Sequence, residues 1–277
     1  MRRPSFLELT WCELAWSNWE PLRASPAPPL QNGPGLYRVR VAGRSQLAYL
    51  GQTGRSLHER VAALRRGTYQ VTPPWNDPHT AAPALWAWRV ESALEYEVSC
   101  APTTLSGQER QCFEDQLLYE YRTEVGESTL CNHGWFHPAW SRPSNRSKGR
   151  AMVRRDAPPG RYGERASLAP APLIDEPDEP GWLGLHWRGG EEAALGMPGV
   201  YRLSRDGEAI YFGESKDIGL RLARHRQRLR GAAVEASWVA MPGSSPQQRR
   251  EREADLIGAF FKLRERPPLL QYAPSRE

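Results

Sequence analysis

The chain has 277 residues, with 37 Lys+Arg against 32 Asp+Glu, and it is 39% hydrophobic and 10% aromatic. That is too much apolar mass for a disordered chain and enough length for two small cores. No run approaches the 18 or so apolar residues of a membrane span, so no membrane partner is expected.

At the N-terminus, MRRPSFLELTWCELAW has acids interrupting any apolar core and no small-residue cleavage site, so no export signal is read. Cys12, Cys100, Cys112 and Cys131 form no CxxC pair, and the expected compartment is a reducing cytoplasm. GLYRVRV (35–41) and LAYLGQ (47–52) read as strands joined by a short turn around Gly43, followed by an amphipathic helix over 56–66. Residues 67–93 read as an extra segment in which VTPPWNDPHTAAP is a long loop. LEYEVS (94–99) is the next expected strand, and Ser106 is a candidate N-cap for a helix carrying Glu114. In STLCNHGWFHPAW (128–140), Cys131, His133 and His137 sketch a zinc set, but the spacing matches no common site.

Residues 142–180 are rich in Pro, Gly, Ser and charge and have no periodicity. Eight basic and two acidic residues fall in 142–170, then four acids and no base in 171–180. The segment reads as a linker, basic first and acidic last. Beyond it the earlier pattern returns. GVYRLS (199–204) and EAIYFG (208–213) flank Arg205-Asp206-Gly207, a hairpin signal. A helix is expected over 217–230, a strand at VEASWVA (234–240), and a second helix opened by Ser245 and carrying Glu253.

The two flanks stay in register. Tyr37 pairs with Tyr201 at an offset of 164, Tyr49 with Tyr211 at 162, and Arg60 with Arg221 at 161. Glu114 pairs with Glu253 and Asn132 with Gln271, both at 139. Trp16 pairs with Trp187. Offsets that change only at loops are what a duplicated domain leaves. The expected fold is therefore α+β: two tandem small domains, 11–141 and 181–277, each a short antiparallel sheet flanked by helices.

Gly35-Leu36-Tyr37, Tyr49-Leu50-Gly51, Arg60, Glu114 and Asn132 in the first half, with Gly199-Val200-Tyr201, Tyr211-Phe212-Gly213, Arg221, Glu253 and Gln271 in the second, resemble the GIY-YIG nuclease superfamily. Taken singly, a tyrosine on a strand is a sheet residue; five ordered positions recurring twice make the pattern specific. The resemblance covers about 125 residues of the first half and 95 of the second. It implies a first tyrosine acting as base or water-positioner, a second supporting it, arginine on phosphate and glutamate on Mg²⁺ (or Mn²⁺). It also implies an amide supporting the loop beside the site. The second half departs from the family at Gln271, which puts that loop in question. Leu64 stands in the first half where the second has His225. Gln52 and Glu214 stand where lysine is frequent, and Glu214 would bring a negative charge toward the phosphate. The first half is accordingly expected to be the more competent.

Phosphodiester hydrolysis needs an activated water and counter-charge for a crowded phosphate. An arginine fork, a carboxylate-held Mg²⁺ and a tyrosine whose pKa is lowered by neighbouring cations would supply these. The basic residues are nearly all arginine, and LRLARHRQRLR (220–230) carries five of them on an expected helix. Arg55, Arg65, Lys216, Arg224, His225 and Arg228 are the expected nucleic-acid contacts, tracking a backbone without reading sequence. Trp75, Trp86, Trp88, Trp135 and Trp140 are candidate base-stacking rings or, more simply, core anchors. The reading is a divalent-metal-dependent endonuclease acting on duplex or branched DNA, in restriction, defence or branched-DNA processing. The alternative is a catalytically degenerate DNA-structure-binding protein that works with a partner. Cleavage of RNA by a toxin-like effector is a weaker third reading.

Overall fold

The computed structural model describes residues 5–24, 32–74, 81–143, 152–155, 167–170, 185–190 and 192–273. Trp75 and most of the expected linker lie outside these residues. Contacts divide the chain into two units, residues 1–104 with 129–165 and residues 105–128 with 166–277. Each is α+β, built on a small antiparallel sheet. Among the described residues no helix is long and apolar enough to cross a membrane.

The first unit contains strands β1 (Glu20–Pro21), β2 (Gly35–Val41), β3 (Leu47–Thr53) and β4 (Tyr96–Pro102), in the order β1-β4-β2-β3. β4 runs to Pro102, past the expected LEYEVS, because β2 pairs with it from Val41↔Tyr96 to Gly35↔Pro102. Helix α1 (Leu57–Tyr69) is capped by Ser56, whose side chain accepts from Glu59 N. It outlasts the expected 56–66 by three residues. The segment expected only as an insertion with a long loop contains a helix, α2 (Ala82–Ser92). Every residue from Ala82 to Trp88 is buried. A helix covered all round shows no polar face, so no 3.6-residue contrast marks it in the sequence. Leu57, Val61 and Leu64 of α1 and Leu85 and Trp88 of α2 pack with Tyr37, Val39 and Tyr96 of the sheet. Arg38, fully buried, lies over the rings of Trp16 and Trp19 and donates to the Phe6 and Glu8 carbonyls. Two described residues of the expected linker are tied to this unit. Met152 packs with Trp86, and Arg154 pairs with Glu91 of α2.

The second unit contains helix α3 (Gly107–Val125), strands β5 (Gly199–Arg205) and β6 (Glu208–Ser215), helix α4 (Ile218–Arg228), strand β7 (Glu235–Ala240) and helix α5 (Pro246–Arg264). The strand order is β6-β5-β7. Asp206 and Gly207 take φ of 53° and 80° in the two-residue loop between β5 and β6, the left-handed pair that an Asp-Gly hairpin turn adopts. Alternation sends Val200 and Phe212 to one face of the sheet, against Leu256 and Phe260 of α5. Tyr201 and Leu203 go to the other, against Ile218 and Leu222 of α4. Arg202 lies 4.6 Å over the Trp187 ring, as Arg38 lies 4.3 Å over Trp16.

α3 packs on α5 in this unit. A Cβ on Gly258 would collide with the Asp115 carbonyl, so the two helices approach at backbone distance there. Both helices open with a complete capping box, Ser106 with Glu109 and Ser245 with Gln248. Along the α3–α5 contact, Arg122 donates to Asp255 from Nε at 2.8 Å and to Ser128 from Nη1 at 2.6 Å. Glu251 accepts from Ser128, from the Ser167 hydroxyl and from Leu168 N. These contacts fix another short piece of the expected linker.

Candidate active site

In the second unit Tyr201 stands opposite Gly213 in the β5–β6 ladder. Its ring is fully buried, tilted 31° to the Tyr211 ring at a centroid distance of 6.1 Å. A Cβ on Gly213 would strike the Tyr201 hydroxyl, so glycine is required there to leave the phenol its space.

α4 is capped by Asp217, whose carboxylate accepts from Leu220 N. Arg221 and His225 follow four residues apart and therefore share one face of the helix. Arg221 Nε donates to the Tyr201 hydroxyl at 3.2 Å, and the same side chain bonds Tyr211. His225 Nε2 lies 3.0 Å from the Tyr201 hydroxyl. The phenol oxygen accepts from arginine, so its own hydrogen is directed to His225 Nε2, which places the imidazole hydrogen on Nδ1. Burial, then the positive charges of Arg221 and Arg228, push His225 down to about 4, which leaves it neutral near pH 7.

At Tyr201 the neighbouring arginine does not by itself lower the phenol pKa. Burial, with Tyr211 adding to it, raises Tyr201 above its ordinary value despite Arg221. Tyr201 is a hydroxyl at rest, placed between a donor and a neutral acceptor.

On the other side of the sheet, α5 brings Glu253 to the end of β6. Its Oε1 accepts from Glu214 N at 3.2 Å. Burial and the Glu214 carboxylate push Glu253 up to about 7, opposed by the Glu214 N–H, Arg250 and Arg221. An acid raised this way gains from a cation set against it. One carboxylate suits Mg²⁺ or Mn²⁺, ions that fill the rest of their shell with water and phosphate oxygen. Among the described residues no group of three or more His, Cys, Asp or Glu is placed to hold a metal ion, Cys131, His133 and His137 included. His137 instead accepts from Ala139 N through Nδ1 and stands edge-on to Trp88.

Glu214, expected to bring a negative charge toward the phosphate, is paired: Arg249 Nε donates to its carboxylate at 3.0 Å. Arg249 precedes Glu253 by one helical turn on α5. Gln271, whose reach was in question, delivers Oε1 to Phe212 N at 3.0 Å. The extra methylene does not prevent it from holding the strand between the two site residues Tyr211 and Gly213.

The first unit repeats part of this geometry. Tyr37 stands opposite Gly51, and its ring lies 6.0 Å from that of Tyr49. Arg60 Nε reaches the Tyr37 hydroxyl at 3.4 Å. Asn132 binds both backbone groups of Leu50, accepting from N at 2.9 Å and donating to O at 2.8 Å. Leu64, at the position corresponding to His225, is buried in the core. Glu114 lies half-buried on α3, in the second unit, where burial raises the Asp115 carboxyl well above its usual range and the Glu114 and Glu253 carboxylates add to it.

Of the expected nucleic-acid contacts, Arg55, Lys216, Arg224 and Arg228 are exposed. Arg65 is engaged with the Ala24 carbonyl. His225 belongs to the tyrosine cluster. Trp86 and Trp88 are core residues, and Trp140 stacks edge-on to Trp86. Comparison with family models, curated proteins and solved structures finds no match for this chain.

Proposed function

We propose that the second unit is a phosphodiester hydrolase of the GIY-YIG type, acting on DNA with Mg²⁺ or Mn²⁺, and that the chain holds two tandem copies of that domain. The observation that carries the reading is the Tyr201 hydroxyl, held between Arg221 and neutral His225, with Glu253 of α5 against the end of β6. A water set against the Tyr201 oxygen gives up its proton as the phenol passes its own to His225, so no free phenolate is needed. Arg221 faces the non-bridging oxygens of the phosphate while remaining bonded to Tyr201. Glu253 would hold the ion, which when bound neutralises phosphate oxygens and lowers the pKa of its water. Arg224, Arg228 and Lys216 would engage backbone phosphates without reading sequence.

Leu64 favours a second role for the first unit. Without an acceptor in His225's position, Tyr37 and Arg60 form a phosphate-binding pair lacking a proton acceptor. In this reading the first unit holds DNA and the second cuts it.

The test is conversion of supercoiled plasmid with Mg²⁺ or Mn²⁺, with folding checked by circular dichroism. Tyr201→Phe and Glu253→Gln are each expected to slow cleavage by about 100-fold or more. Leu64→His and Tyr37→Phe are expected to leave the chemical rate within a few-fold, and the wild-type product is expected to be nicked circles. Cleavage by Tyr201→Phe and Glu253→Gln at the wild-type rate overturns the assignment.

A further inference from the structure

His225 has a second neighbour besides Tyr201. Beyond the imidazole lies a cavity of about 280 Å³ between the C-terminal turn of α4 and strands β5 and β7. Leu203, Leu222, Leu229 and Val234 form its apolar floor, and Arg226 and Arg230 stand at its mouth. One imidazole ring thus separates the cavity from the hydroxyl placed at the scissile phosphate.

Its size falls just under the roughly 300–1,000 Å³ of sites for drug-sized ligands, which suits one ring system rather than a cofactor or a peptide. Its charge excludes a cation. Arg221, Arg224, Arg226, Arg228 and Arg230 all lie on or just after α4, and Arg224, Arg228 and Arg230 make no ion pair among the described residues. An apolar floor under a basic mouth matches an aromatic ring attached to an anionic chain, which is a nucleotide within a strand. The leucine and valine floor offers no hydrogen-bond code, so it accepts the face of any base. A base stacked inside a duplex cannot enter a cavity beside the phosphate site; only one that has left the stack can.

We infer that this cavity receives a single unpaired nucleobase next to the phosphate held by Tyr201 and Arg221, so that the second unit selects DNA with an extrahelical or displaced nucleotide. The inference rests on the hydrolytic reading of this unit and adds a substrate class to it.

The full chain is titrated without metal into two duplexes of one sequence, one fully paired and one with a single bulged 2-aminopurine. Cleavage of both is then followed with Mn²⁺. The bulged duplex is expected to bind about tenfold more tightly, to change 2-aminopurine emission on binding, and to be cut faster beside the bulge. Ala232→Trp, which places a ring over the cavity from an exposed turn, is expected to bring both ratios close to one. Arg230→Ala is expected to reduce them without filling the cavity, which guards against a misfolded tryptophan variant. Equal binding and equal cleavage of the two duplexes by the wild type, with unchanged emission, overturn the cavity assignment while hydrolysis stands. Absence of cleavage of any DNA overturns the hydrolytic reading instead, and the binding ratio then decides the cavity by itself.

Discussion

At the scale of single residues, the second unit keeps a histidine neutral next to a tyrosine. In the fold His225 titrates near 4, because burial and two arginines oppose its cation, while in the unfolded chain it titrates near 6.5. As pH falls from 6.5 toward 4, the unfolded chain takes up this proton first. The contribution to stability is complete above 6.5 and is lost progressively across that window. His225→Gln keeps a polar group near Tyr201 but cannot titrate. The wild type is expected to lose stability between pH 6.5 and 4.5 more steeply than His225→Gln, measured by urea unfolding at a series of pH values. Parallel curves for the two proteins would show that His225 is not buried as a neutral acceptor.

At the scale of elements, the site depends on what holds β6 straight between Tyr211 and Gly213. Gln271, 3% exposed, supplies a side-chain acceptor for the buried Phe212 N–H. Gln271→Ala leaves that donor buried without this partner, a cost of about 1–3 kcal/mol. Thermal melting is expected to fall accordingly, and cleavage is expected to drop with it because the tyrosine pair loses its support. An unchanged melting temperature would mean that another group takes over. The elements differ in how openly the sequence announced them. The hairpins were legible because strand alternation, Gly43 and Asp206-Gly207 each mark them locally, and Ser106 and Ser245 marked the starts of α3 and α5. α2 was hidden because burial on every side erases periodicity. The cluster around Tyr201 was legible as a set of types in order, whereas the pairing of Glu214 with Arg249 and of His225 with Tyr201 depended on which helix face meets which strand. Residue types alone do not fix that facing.

At the scale of the whole molecule, the contact units and the sequence halves do not coincide. α3 precedes the segment read as a linker, yet its packing partner is α5 in the second unit. It brings Arg122, fully buried, to Asp255 and Glu251, whose side chains are also fully covered. Removing one partner from such a group leaves charge uncompensated in the interior and costs about 3–5 kcal/mol. Arg122→Met is therefore expected to destabilise the second unit selectively, so that chemical denaturation of the variant separates into an early and a late transition. The same reasoning applies to a chain cut at the linker. A fragment of 181–277 retains the tyrosine hairpin, Arg221, His225 and Glu253 but lacks α3, which leaves Ile257, Gly258 and Phe261 of α5 facing solvent and both Glu251 and Asp255 without Arg122. Such a fragment is expected to lack a cooperative melting transition and to bind a hydrophobic dye, whereas the fragment with residues 105–128 supplied in trans as a peptide is expected to recover the transition. A cooperative melt of 181–277 alone would show that the sheet and α4 suffice and that α3 is dispensable to the second unit.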